Sequence, residues 1–236
     1  MKTIGLIGGM SWESTAHYYA AINRETAKRR GGLHSAPLLI HSVDFAPIAE
    51  MQSAGQWQEM GSMLAQSAKN LERAGAQIIG LATNTMHVVA KEIETVIDVP
   101  FVHIADPTIA ALAEDSIRTI GLLGTRFTME MPFYRERLER QGINVLVPDV
   151  DITNLNGIIY NELCKGIVTE PSRQIYQQAI ERLAGRGAEG IILGCTEIAM
   201  LVNDDNSPVP TYDTTALHAS ALVANALNDS NNTIGT

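Results

Sequence analysis

The chain has 236 residues, 45% of them hydrophobic and 18% charged, which supports one large domain or two small ones around a sizeable core. Its formal net charge of −9 argues against non-specific nucleic-acid binding and against attachment to an anionic membrane surface. An acidic small substrate stays open, because a site can be locally positive in an acidic protein.

In chain order, residues 3–7 read as a central strand running into Gly8-Gly9-Met10. The two glycines let the backbone turn tightly and lie close to a ligand. They do not form G-x-G-x-x-G, so a plain strand-to-helix turn fits at least as well as a phosphate site. Ser11 or Ser14 caps a helix to about residue 29. A second strand follows at 37–43, then a loop or short helix over 44–55 carrying Glu50 and Gln52. Residues 56–74 form a helix with Met60, Met63, Leu64 and Leu71 on one face, stopped by Gly75. A third strand, 76–81, ends at Thr83-Asn84-Thr85. A short helix over 87–94, a strand over 99–104 and a helix opening at 107–113 complete the first half.

The pattern then restarts. Arg118-Thr119-Ile120-Gly121-Leu122-Leu123-Gly124-Thr125 echoes Lys2-Thr3-Ile4-Gly5-Leu6-Ile7-Gly8 at an offset of 116 residues (Ile4 to Ile120). The block 187–196 echoes 75–84 at 112 (Gly75 to Gly187), and Val209-Pro210 echoes Val99-Pro100 at 110. Three matches in one order imply duplication. The expected fold is α/β: two pseudo-symmetric lobes, each with a mostly parallel sheet flanked by helices. Residues 1–114 plus 209–228 make the first lobe and 115–208 the second, with the active site in the cleft between them. The tail 228–232 is polar and is expected to fray.

Two cysteines, Cys164 and Cys195, are too few for a disulfide framework and suit a reducing compartment. The N-terminal stretch is too short and glycine-rich for a signal peptide, and no apolar run reaches membrane-spanning length, so a cytoplasmic location is expected. The six histidines are scattered without paired ligand spacing, so no metal is expected. Cys164 reads as a core residue in mid-helix.

Chemistry collects at strand exits in α/β proteins. Gly194-Cys195-Thr196-Glu197 follows the buried run 190–193, and Thr83 stands 112 residues before Cys195, the offset of its surrounding block. Equivalent positions in two facing lobes approach one ligand from opposite sides. Two acid/base groups on opposite faces of a carbon are what inversion of a stereocentre requires. A thiol serves well where its surroundings favour the thiolate. A threonine is a far weaker acid.

The stretches Gly5-Leu6-Ile7-Gly8-Gly9-Met10-Ser11-Trp12-Glu13-Ser14, Thr83-Asn84-Thr85-Met86-His87 and Gly194-Cys195-Thr196-Glu197 closely resemble the cofactor-independent aspartate/glutamate racemases, over nearly the whole chain. The resemblance implies a two-domain α/β homodimer that racemises an acidic amino acid without pyridoxal phosphate or metal. The family's first motif reads Cys-Asn-Thr-x-His, and here its first residue is Thr83. The chain is most similar to an L-aspartate/glutamate-specific type with a threonine/cysteine pair. That resemblance implies Cys195 on the L-face and Thr83, or a water it positions, opposite.

Asn84, Thr85 and Thr196, with backbone N–H groups at helix starts, are candidates to hold the α-carboxylate. Thr125 ends the repeated first strand of the second lobe, and Met10 is its near counterpart. Gln52 and Lys165 resemble substrate-contacting positions, Lys165 toward the side-chain carboxylate. Glu197 and His87 are candidates to orient the two catalytic positions. Two other readings stand beside this one. The first is a one-cysteine decarboxylase or isomerase of a small dicarboxylate, and the second is a catalytically inactive amino-acid-binding protein.

Overall fold

A computed structural model of the chain describes residues 1–228, so most of the polar tail expected at 228–232 lies outside the described residues. The elements of the first sheet are Ile4–Gly8 (β1), Leu38–Ser42 (β2), Ile78–Leu81 (β3) and Phe101–Val102 (β4), all parallel in the order β2-β1-β3-β4. Those of the second are Thr119–Gly124 (β5), Asn144–Leu146 (β6), Ile191–Gly194 (β7) and Thr211–Asp213 (β8), again parallel, in the order β6-β5-β7-β8. The two sheets therefore share one topology, as the repeated sequence blocks require. The central strands β1, β3 and β7 are buried along their whole length. A parallel strand covered on both faces reads as a continuous apolar run, and that is how these three appear in the sequence.

Parallel neighbours need crossover connections, which helices supply. In chain order they are Trp12–Arg30 (α1), Phe45–Ala54 (α2), Trp57–Arg73 (α3), Ala90–Glu94 (α4), Ala105–Glu114 (α5), Arg126–Glu130 (α6), Pro132–Glu139 (α7), Ile152–Asn161 (α8), Glu170–Gly185 (α9) and Thr214–Leu227 (α10). Ser11, not Ser14, caps α1: its hydroxyl accepts from the Ser14 amide. The Ser14 hydroxyl instead donates to the Ala82 carbonyl at the end of β3. Glu13 in the first turn and Lys28, Arg29 and Arg30 in the last complement the helix dipole. The expected short helix over 87–94 is a 3-10 turn, Thr85–Val89, followed by α4.

The chain divides into two compact units, one of Met1–Ala82, Val89–Val102 and the stretch from His218, the other of Thr83–Val88 and His103–Leu217. In the first unit, α1 and α10 pack Tyr18, Ile22, Leu222 and Val223 onto Ile4, Leu6 and Ile78. In the second, α8 and α9 cover one face through Leu155, Ile159, Tyr176 and Ile180. The other face is covered by α5 and α7 through Leu112, Tyr134 and Leu138. These partitions differ from the sequence expectation in three places. Strand β8 pairs with β7, so residues 211–213 belong with the second sheet and not with the first lobe. Helix α5 packs in the second unit, and the segment Thr83–Val88 belongs there too. The repeat of Val99-Pro100 at Val209-Pro210 already made β8 the counterpart of β4, whereas the placement of α5 and of Thr83–Val88 rests on non-local packing that the pattern does not carry.

Gly9 shows what the opening glycines do. It has φ +95°, and a Cβ there would lie 2.1 Å from the Val43 carbonyl oxygen. Its amide donates to Thr15 Oγ1 at 2.7 Å, which locks the turn into α1. Gly9→Ala is expected to destabilise the protein by about 2–4 kcal/mol, read as a lowered urea midpoint at unchanged m. A loss below about 0.5 kcal/mol would mean that the turn relaxes freely.

Candidate active site

The site is built at the exit of β7. A Cβ on Gly194 would lie 2.7 Å from the Leu123 carbonyl oxygen, so only glycine lets β5 and β7 stay close as they end. The chain then leaves the sheet as Cys195-Thr196-Glu197 and enters a 3-10 turn, Ile198–Met200. Cys195 is 8% exposed, and its neighbours Thr196 and Glu197 are also buried.

A single carboxylate organises this corner. Cys195 Sγ donates to Glu197 Oε2 at 3.1 Å, and Thr196 Oγ1 donates to the same oxygen at 2.7 Å. Cys164 Sγ donates to Glu197 Oε1 at 3.8 Å. Burial pushes the Cys195 thiol well above its ordinary value, and the Glu197 charge, Cys164 and the bond to Glu197 push it further. The Glu197 amide works in the opposite direction. Cys164 is raised too, first by burial and then by Glu197. Both sulfurs are therefore protonated near neutral pH, held against a shared proton acceptor. The Tyr160 hydroxyl is raised by burial and then by the charges of this cluster, so it stays neutral.

The loop after β3 carries the other motif. Thr83 is buried, and its carbonyl accepts from His87 Nδ1 at 2.8 Å. His87 Nε2 accepts from the Ile104 amide at 3.1 Å. The carbonyl can only accept and the amide can only donate, so the ring is the neutral Nδ1–H tautomer. It ties the Thr83 backbone to the start of α5. Thr85 Oγ1 lies 2.8 Å from Thr125 Oγ1 and 3.4 Å from Thr128 Oγ1, a buried group of three hydroxyls. Thr125 also caps α6, accepting from the Thr128 amide. Asn84 Nδ2 donates to Thr214 Oγ1 at 3.0 Å, and Thr214 Oγ1 donates to the Leu193 carbonyl at 2.8 Å.

The second unit thus holds Thr83, Asn84, Thr85, His87, Thr125, Lys165, Cys195, Thr196 and Glu197. Met10, buried at the turn into α1, and Gln52, buried on α2, belong to the first unit. Lys165 ends a 3-10 turn, Leu163–Lys165, where it is exposed and has no ion pair among the described residues. Cys164 lies in that turn and not in mid-helix. Among the described residues no three His, Cys, Asp or Glu side chains converge as a metal set. Sequence reasoning missed Cys164 as a partner of Glu197, and it missed Thr128, Tyr160 and Thr214. Thr214 follows β8 directly, and the strand-exit rule that found Cys195 would have found it.

Comparison with known proteins agrees with this architecture. The family model described as Asp/Glu/Hydantoin racemase matches residues 7–222. A candidate Asp/Glu racemase from Yersinia pestis superposes with a TM-score of 0.89 at 50% identity, covering 97% of this chain and 100% of that one. An aspartate racemase homologue from Pyrococcus horikoshii OT3 gives 0.83 at 33% identity, with the same coverage. The broad specificity amino-acid racemase RacX of Bacillus subtilis (strain 168) is 25% identical over 231 residues, covering 95% of this chain and 98% of that protein. With a match spanning all but the ends, the chain belongs to the Asp/Glu/hydantoin racemase family, and its class of activity is that of an amino-acid racemase.

Proposed function

We propose that the protein interconverts the enantiomers of an acidic α-amino acid, aspartate or glutamate, by acid/base chemistry of its own side chains without pyridoxal phosphate. The working species is a homodimer in the cytoplasm. The observation that carries the reading is the Cys195–Glu197 hydrogen bond at the exit of β7. The Cα–H of an amino acid is a very weak acid, so its removal needs a strong base. A thiol whose proton is held tightly gives, once ionised, a stronger base than an ordinary thiolate. Glu197 takes that proton, and the Cys195 thiolate then accepts the α-proton of the L-substrate while the electron pair passes into the carboxylate. Thr83, or a water it positions, protonates the opposite face; solvent then restores its proton, and Glu197 releases the thiol proton to solvent while Cys195 keeps the proton taken from the substrate. Thr85, Thr125 and Thr196 hold the substrate's charged ends.

The threonine makes the two directions differ in kcat and in KM together, while kcat/KM stays equal because the enantiomers have equal free energy. In the reverse direction Thr83 would have to act as base, and a hydroxyl is far harder to ionise than a thiol. Incubation in D2O with each enantiomer of aspartate and glutamate, followed by NMR and chiral chromatography, tests this. At saturating substrate, L-substrates are expected to lose the α-proton and invert, and D-substrates to turn over with a kcat lower by about 10-fold or more and a KM lower in proportion. Equal turnover numbers from both enantiomers at saturation would remove Thr83 from the opposite face. The single cysteine at the two motif positions favours one alternative, a decarboxylase or isomerase of a small dicarboxylate. Turnover of a substituted malonate without amino-acid exchange would replace the racemase reading with that one. Binding without any turnover would leave an inactive amino-acid-binding protein.

A further inference from the structure

The hydrogen-bond chain Asn84–Thr214–Leu193 decides which end of the Asn84 amide is spent. Thr214 is fully buried, and its hydroxyl has one hydrogen, which goes to the Leu193 carbonyl. Toward Asn84 the hydroxyl oxygen can therefore only accept, so the amide must turn its NH2 to Thr214. Reversing the amide would set two oxygens against each other with no proton between them. The consequence is at the far end. Asn84 Oδ1 is left without a hydrogen-bond partner although the residue is only 2% exposed. A buried acceptor is costly to leave unmet, so this oxygen is made for a donor.

We propose that Thr214 is a positioning residue that fixes Asn84 Oδ1 as the acceptor for the substrate's α-ammonium group. The sequence reading paired Asn84 with the α-carboxylate, but the oxygen it presents would repel one. The carboxylates fall instead to hydroxyl donors such as Thr85 and Thr125. The ligand class follows: a primary amino acid with a free, protonated amine, in preference to the same dicarboxylate without it. The proposal rests on the racemase reading of this site, and its test is arranged to fail separately.

Calorimetry compares L-aspartate with succinate and L-glutamate with glutarate, on wild type and on Thr214→Val, Thr214→Ser and Asn84→Ala. The same pairs are compared as substrate and competitive inhibitor in the exchange assay. Thr214→Val is expected to weaken the amino acid by about 10- to 100-fold, in KM and Kd more than in kcat, and to leave succinate or glutarate within about 2-fold. Thr214→Ser restores wild-type discrimination, because it returns the hydroxyl. Asn84→Ala reproduces the selective loss while Thr214 keeps its bond to Leu193, so the test survives if the valine variant does not fold. Equal weakening of both ligands, or of neither, would overturn the proposal. So would a wild type that binds succinate and glutarate as tightly as the amino acids, or binds none of the four. A wild type that binds amino acids selectively through Asn84 but never exchanges the α-proton would sink the racemase reading and uphold this one.

Discussion

Cys195→Ala is expected to lower Cα–H exchange from the L-substrate by about 10²- to 10⁴-fold, the contribution of a positioned acid/base group. The sulfur sits at the exit of β7 with Glu197 Oε2 3.1 Å away, and among the described residues no other thiol is bonded to that oxygen. Cys164 meets only the other oxygen, at 3.8 Å, from a separate turn. Cys195 also packs at the edge of the core formed by α8 and α9, so the substitution must be separated from simple unfolding. Thermal midpoint and ligand affinity provide that check. A variant that binds substrate with wild-type affinity yet exchanges no α-proton places the loss in chemistry. Retention of more than about a tenth of wild-type exchange would show that Cys195 is not the L-face base.

Glu197→Gln is expected to move two properties of Cys195 in opposite directions. The carboxylate raises the thiol's proton affinity by its charge and by accepting the S–H bond. Glutamine removes the charge, so the thiol ionises at lower pH than in wild type. Burial, the largest cause, persists and keeps it above the ordinary thiol value. Alkylation of Cys195 by a small reagent at fixed pH therefore speeds up, because the thiolate is the nucleophile. Racemisation slows by about 10²- to 10³-fold, because the group that takes the thiol proton is gone and the thiolate is a weaker base. The pH–rate profile of the variant should shift its thiol limb to lower pH. If alkylation and racemisation fall together, Glu197 is only a packing partner.

The raised thiols also lower stability at alkaline pH. Burial holds Cys164 and Cys195 protonated in the folded chain at pH values where an unfolded thiol, near 8.5, has ionised. Above that value the unfolded state binds fewer protons than the folded one. Their stabilising contribution is complete below it and is lost as pH rises toward the raised folded values, by about 1.4 kcal/mol per pH unit for each group.

The fold was legible because its central strands are buried on both faces. A run such as Ile191-Ile192-Leu193 has no polar alternation to blur it, and its repetition from Ile78-Ile79 onward exposed the second sheet. Cys195 and Glu197 were legible because a small residue, a thiol and a carboxylate at a strand exit are adjacent in sequence. The partner of Glu197 across 33 residues was not. Cys164 sits among apolar residues and looked like core filler. Only the 3-10 turn between α8 and α9 aims its sulfur at the carboxylate. Thr128 was hidden in the same way, inside a short helix that folds its hydroxyl back onto Thr125.

What the amino-acid order alone determined is the duplicated parallel α/β pattern, the two strand-exit motifs and a threonine in the first repeat where the second has a cysteine. These depend on local periodicity and on residue identity at fixed offsets. The tertiary structure decided the rest. It packed α5 in the second unit, set Thr83 to Val88 there too and turned the Asn84 amide so that its oxygen is left as acceptor. Each of those outcomes follows from hydrogen bonds or packing between residues far apart in the chain. Such bonds are chosen by which buried donors and acceptors can all be satisfied at once, and no local stretch of sequence carries that information.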